Sequence, residues 1–347
     1  MHSAVRLSVR ALLAITLAAA GVYSGTPAQA AVLCVNSASS LRSALTIAEA
    51  NGVDDTIKIA RGTYQAGGSE FYYYATEAHS LDIAGGYNAD CSARIRNPVL
   101  TVLDGGGQSS VMIAESTQGA VAIRYLTFQN GLSTGIRGGG LYVNGSSGDN
   151  GDVTIGANIF RNNRATSFGG GLEAGDGGTS TLLVRNNLFV GNHAGVSDAA
   201  AELVSNGTNA YFTNNTVVGN TAEGNGNVNG GVSFGGSATF DISNSVFWSN
   251  DGNDLHIDNA VLIDNDYGTI NIPPPSGSVG NVSIDPLFAG TDDFHLLPVS
   301  PLLAAGALIP PGGLSNYDIE GHDRVYRFGV DMGAYERGDA IFDDGYE

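Results

Sequence analysis

Ile155-Gly-Ala-Asn-Ile-Phe160-Arg-Asn-Asn163 is followed by Val184-Arg-Asn-Asn-Leu-Phe189-Val-Gly-Asn192, an aligned stretch with the same pattern. The pattern recurs in Ile123-Arg-Tyr-Leu-Thr-Phe128-Gln-Asn-Gly131, Phe212-Thr-Asn-Asn-Thr-Val217-Val-Gly-Asn220 and Ile242-Ser-Asn-Ser-Val-Phe247-Trp-Ser-Asn250. From Phe128 through Phe160, Phe189 and Val217 to Phe247 the steps are 32, 29, 28 and 30 residues. A second word follows in Gly138-Gly-Gly-Leu141, Gly169-Gly-Gly-Leu172, Asp198-Ala-Ala-Ala201 and Asn229-Gly-Gly-Val232. A repeat of this length means a solenoid, a propeller or an array.

Within each repeat Val153, Ile155, Ala157 and Ile159, or Leu182, Val184 and Leu188, alternate with polar or small neighbours, which is the period of a strand. The alternation breaks where two apolar residues adjoin, as in Ile159-Phe160. A corner is expected there, with the Asn or Gly three residues after the aromatic in the left-handed backbone conformation. Strand, corner and strand stacked ~4.8 Å apart make a parallel β-solenoid. Asn186, Asn214 and Asn244 share one position and are expected to stack inward as an amide ladder.

The paired words F-x-x-N and G-G-[AG]-[ILV] resemble the repeats of polymorphic outer-membrane proteins. The whole, over residues 32–336, resembles a right-handed parallel β-helix of the pectin-lyase-like class. The resemblance implies an all-β, single-stranded β-helix, a fold that serves lyases, glycosidases, adhesins and structural proteins alike. Asp331-Met-Gly-Ala-Tyr-Glu336 and the segments before it are similar to the closing segment of choice-of-anchor β-helix proteins. In that family a short C-terminal segment, here 338–347, decides attachment or export.

Met1–Ala30 carries Arg6 and Arg10, an apolar run from Ala11 to Ala20 and Ala28-Gln-Ala30. This reads as a secretory signal peptide, so the protein is expected to be secreted or held at the cell surface. No other segment is long and apolar enough to span a membrane. Without this leader the net charge moves from −19 to −21, because two arginines and no acid are lost. Such a surface repels nucleic acid and other polyanions. Cys34 and Cys91 are the only cysteines and, in an exported chain, are expected to pair. Closing that loop contributes ~4 kcal/mol on a chain-entropy account.

Leu41, Ala44, Leu45 and Ala48 recur at helical spacing after the capping candidates Ser39 and Ser40. A short helix is expected to cover the first coil, since an open solenoid end exposes apolar core and unpaired edges. The chain thus divides into a leader (1–30), an N-terminal cap with the first coils (31–110), regular coils (111–270), a closing segment (271–337) and an acidic tail (338–347).

With Leu141, Leu172, Ala201 and Val232 inward, Tyr142, Glu173, Glu202 and Ser233 form one outward column. Glu173 and Glu202 would then lie ~5 Å apart, one rung from the next, close enough to divide acid and nucleophile roles in a retaining glycosidase. Gly140, Gly171, Ala200 and Gly231 beside them suggest a trough for a sugar chain. Such a column could also bridge calcium or simply face water. Polysaccharide lyases of the fold would need a base, here His193 or Tyr142, and a cation such as Arg124 or Arg185, which occupy equivalent outward positions two rungs apart. Asp251 and Asp254 offer hard oxygen ligands for Ca2+, and Asp-Gly-Asn is equally ordinary turn chemistry. Three functional classes remain open: an adhesin-like or polysaccharide-binding protein whose partner is an extracellular glycan or cell surface, a polysaccharide-degrading enzyme, and a structural spacer with no ligand.

Overall fold

In a computed structural model the described residues are 30–135, 138–144, 151–224, 228–327 and 329–337. Residues 1–29 of the expected leader and the expected acidic tail 338–347 lie outside them. Strands repeat along the chain and pair with their equivalents one coil away, always in parallel. Face A runs from Ala31–Val35 to Ala260–Ile263, face B from Gly62–Gln65 to Asp266–Tyr267, and face C from Phe71–Ala75 to Asn253–Ile257. A narrow ribbon, Leu132–Ser133, Arg164–Ala165, His193–Ala194 and Thr221–Ala222, bridges B and C. The molecule is a parallel β-helix, wound in the right-handed sense that parallel crossovers take.

The register carries the aromatic column of the sequence directly into the core. Phe128, Phe160, Phe189, Val217 and Phe247 are successive partners, with ring centroids 5.2 Å apart at Phe128–Phe160 and 4.8 Å at Phe160–Phe189. Where Val217 leaves a smaller side chain, Phe212 on face A fills the space, 6.4 Å from Phe189 and 5.6 Å from Phe247. Volume is conserved across two strands, as a close-packed interior requires.

The amide ladders sit one residue away from the expected positions. The left-handed residues between faces A and B are Tyr125, Ala157, Asn186, Asn214 and Asn244, and the residue after each turns inward. Asn158, Asn187 and Asn215 form the ladder: Asn158 Nδ2 donates to Asn187 Oδ1 (3.2 Å), and Asn187 Nδ2 to Asn215 Oδ1 (3.0 Å). The next corner behaves alike. Asn162, Gly191, Gly219 and Ser249, two residues after the aromatic rather than three, have positive φ. Asn163, Asn192, Asn220 and Asn250 behind them form a second ladder with steps of 3.0, 2.9 and 2.8 Å. One left-handed residue reverses the in-out alternation, so counting through the corner as extended chain gives the wrong side.

Asn186, Asn214 and Asn244 therefore stand outside the core, where the closing segment covers them. Their Nδ2 groups donate to the carbonyls of Tyr317 (2.9 Å), Asp331 (3.0 Å) and Ala307 (2.9 Å). Arg324, wholly buried, clasps this segment: it donates to Asn186 Oδ1 (3.1 Å), to the Ala334 carbonyl (2.6 Å) and to Glu336 Oε2 (3.3 Å). At the opposite end the helix Ala38–Ala48 buries Leu41, Ala44, Leu45 and Ala48. Its N-cap is Ser37, with Ser40 completing the capping box, instead of Ser39 or Ser40. Cys34 and Cys91 form a disulfide, and no helix among the described residues is long and apolar enough to cross a membrane.

The ladder has a measurable energetic consequence. Asn187→Ala leaves the Asn158 amide and the Ile155 carbonyl without their partners. A stranded buried polar group costs about 1–3 kcal/mol, so the urea midpoint should fall by the equivalent of at least ~2 kcal/mol. A midpoint within experimental scatter of the parent would show that the ladder contributes no net stability.

Candidate functional site

Face C gives the outward column its geometry. Tyr142 pairs with Glu173, Glu173 with Glu202 and Glu202 with Ser233, while Leu141, Leu172, Ala201 and Val232 are fully buried. The column is longer than the repeat words indicate, because Tyr72 and Ile113 precede Tyr142 and His256 follows Ser233 in the same register. Tyr72 is 43% exposed. Phe71-Tyr-Tyr-Tyr-Ala75 alternates strictly, and that alternation was the signal for Tyr72. His256 sits in the short rung Leu255-His-Ile257, where it could have been placed by counting from Val232.

Near Tyr72 the column opens into a cavity of about 490 Å³ between face C and the ribbon, lined by Glu70, Gln108, Ser109, Ile113, Leu132 and Thr134. That volume falls in the range of small-molecule sites. The Ser109 hydroxyl faces no protein partner. The expected trough of small residues is absent. A side chain at Gly140 or Gly171 would run into the carbonyl of the next coil and the amide of Asn163 or Asn192, and Ala200 belongs to the core. These positions are small because the second ladder passes beside them.

Electrostatics single out Glu202. Burial pushes its carboxyl up to about 7, and the negative charge of Asp198 adds to the effect. Asp198 is buried in a left-handed corner, accepts from Asn229 Nδ2 (2.9 Å) and Ser197 Oγ (3.0 Å), and is itself raised by burial while His256 pulls it down. A carboxyl that exchanges its proton near neutrality, one ~4.8 Å rung from a second glutamate, can donate a hydrogen bond or a proton while its neighbour accepts.

The other candidates lie elsewhere. His193 is level with Arg164 and Thr221 on the ribbon, its Nε2 3.2 Å from Glu223 and its Nδ1 3.1 Å from Thr221, and so stands apart from the Tyr142 column. Arg124 and Arg185 are on face A, on either side of Gly156. Asp254 terminates the second ladder: Oδ1 accepts from Asn250 Nδ2 (2.8 Å), and Oδ2 from the amides of Gly268 and Thr269 (both 3.0 Å). Asp251 is exposed. Among the described residues no group of three or more His, Cys, Asp or Glu side chains is arranged to hold a metal ion.

Glu202 should leave a signature in stability. An acid whose folded pKa is raised contributes fully below its unfolded value, near 4.5, and loses that contribution as pH rises through about 7. Glu202→Gln stays neutral throughout. Its melting temperature relative to the parent should therefore increase between pH 5 and pH 8 by calorimetry; a difference that stays constant would place the titration elsewhere.

No protein-family model, curated protein or solved structure matches this chain.

Proposed function

We propose that this is an exported parallel β-helix of the pectin-lyase-like type that binds extracellular polysaccharide along face C. The observation that carries the reading is the register column Tyr72, Ile113, Tyr142, Glu173, Glu202, Ser233 and His256, buried only at Ile113, beside a cavity of about 490 Å³. Aromatic rings for the apolar faces of sugars, followed by acids, a hydroxyl and an imidazole for their hydroxyls, suit an extended glycan lying along the helix axis. The leader accounts for export, and adhesin-like attachment to a cell surface would use the same face.

Hydrolysis is the second reading, and Glu202 favours it. Its raised pKa beside Glu173 matches a general acid and a nucleophile on adjacent rungs, the arrangement of a retaining glycosidase. Elimination has less support, since His193, Arg124 and Arg185 are on other surfaces.

The protein lacking its leader is passed over immobilised neutral and acidic polysaccharides with calcium present, with reducing ends and unsaturated-product absorbance read in the same samples. Retention on at least one polysaccharide is expected, weakened at least tenfold by Glu173→Gln together with Glu202→Gln. New reducing ends abolished by the same pair would establish hydrolysis. Retention unaffected by the pair, or none on any polysaccharide, would remove face C as the glycan site.

A further inference from the structure

Beside face A, away from the proposed glycan face, four of the chain's cations converge. Arg124, Gly156 and Arg185 hold the same register position in Val121–Arg124, Val153–Gly156 and Thr181–Arg185. A Cβ on Gly156 would lie 3.8 Å from Arg124 Cγ and 4.0 Å from Arg185 Cγ, so the bare glycine leaves space between the two arginine stems. Arg94 and Arg96 arrive from the loop behind Leu81–Tyr87, and Ser315 from the closing segment. Together they enclose a cavity of about 210 Å³ whose lining includes no carboxylate.

Three parts of the chain build this cleft, and Arg94, Arg96 and Arg124 are held in position. Arg94 Nε donates to the Gly85 carbonyl (3.0 Å), and its guanidinium lies 4.2 Å from the centre of the Tyr125 ring. Arg124 donates to Asp82 (2.5 Å), and Arg96 stacks 4.5 Å over Tyr317. The charges are nonetheless under-compensated. Arg94 Nη2 and Arg124 Nε are buried without a hydrogen-bond partner. Burial, and then the neighbouring Arg124, hold the Arg185 guanidinium below the ordinary arginine value. Burial does the same to Arg94, against the pull of Tyr87 and Tyr125. Crowding guanidinium groups in a half-buried cleft costs free energy, in a chain whose formal net charge is −19.

We propose that this cleft is an oxyanion site, taking a phosphate, sulfate or carboxylate group carried by a small molecule or a single sugar unit. Planar guanidinium forks match such groups in pairs, and the volume admits one compact group instead of a chain. The site is separate from the face C column, and the proposal stands whether or not that column binds glycan.

The test is thermal unfolding of the protein at constant ionic strength, titrated with inorganic phosphate and with glucuronate, with chloride as the ionic control and glucose as the neutral one. A ligand of the folded state raises the melting temperature with its logarithm of concentration. Phosphate, glucuronate or both should give a rise, logarithmic in concentration, that chloride and glucose do not; a rise with glucuronate alone would identify a sugar acid as the source of the charge, and with phosphate alone a phosphate ester. Arg185→Gln should leave the ligand-free protein at least as stable as the parent and weaken the anion at least tenfold. Ser315→Glu, which supplies a carboxylate from within, should raise the ligand-free melting temperature and abolish the response. No rise with either anion, or an equal rise in both variants, would overturn the proposal.

Discussion

The inward amide ladder is the constraint on which the molecule depends. Each Asn side chain must donate to a backbone carbonyl of the preceding coil and accept from a backbone amide of that same coil: Asn187 Nδ2 reaches the Ile155 carbonyl at 2.9 Å, and Asn187 Oδ1 receives the Asn158 amide at 2.9 Å. Both bonds are made only when neighbouring coils are in register. A slip of one residue would place every apolar side chain on the wrong face, and it would also strand a column of buried amides. Unbroken pairing through faces A, B and C follows, and with it the columns that make the surface functional.

The ladders must also end. A terminal amide facing nothing would keep an unmet donor in the core, and each end is closed by a different device. Asn250 Nδ2 meets Asp254 Oδ1 at 2.8 Å; the first ladder passes from Asn215 through Ser245 to Asn265, whose Nδ2 meets Asn281 Oδ1 at 3.0 Å. Asp254 is thereby committed to structure, since its carboxylate takes one amide side chain and two backbone amides from the turn beyond. The left-handed corner residues have the complementary task. Placed outside the core by their own backbone conformation, Asn186, Asn214 and Asn244 present amides that hold the closing segment. Arg324 and Glu336, buried between helix and segment, complete that seam.

How much of this is legible in sequence depends on whether the signal is local. Period-two alternation and the recurrence of Phe128, Phe160 and Phe189 set strands, coil length and core directly, and the Glu173–Glu202 pairing follows by counting within one strand. Counting fails at the corner, where a single left-handed residue exchanges inside and outside, and so Asn186 was expected where Asn187 stands. The small residues beside the glutamates misled for the same reason: Gly140 and Gly171 make way for the Asn163–Asn192 ladder. Tertiary placement was beyond reach. Nothing in the spacing of Arg94 and Arg96 brings them to Arg124 and Arg185, because the loop and the closing segment that complete the cleft lie outside the repeat.

The two surfaces differ in what they can accept. On the proposed reading face C presents Glu173 and a Glu202 that takes up charge as pH rises through about 7, on a chain of net charge −21 once the leader is excluded. A polyanionic glycan along that face would meet repulsion growing with pH, whereas a neutral one would meet hydroxyl-binding acids and exposed tyrosine. The cleft beside face A gathers four guanidinium groups, and among the described residues Asp82 is the carboxylate paired to one of them, Arg124. On the proposed reading a ligand carrying a single negative group would be drawn to the cleft and turned away from the column; the corner residues Tyr125 and Asn186 line the cleft and separate face A from face B. A solenoid can keep the cleft and the column chemically distinct because register holds each column to its own face.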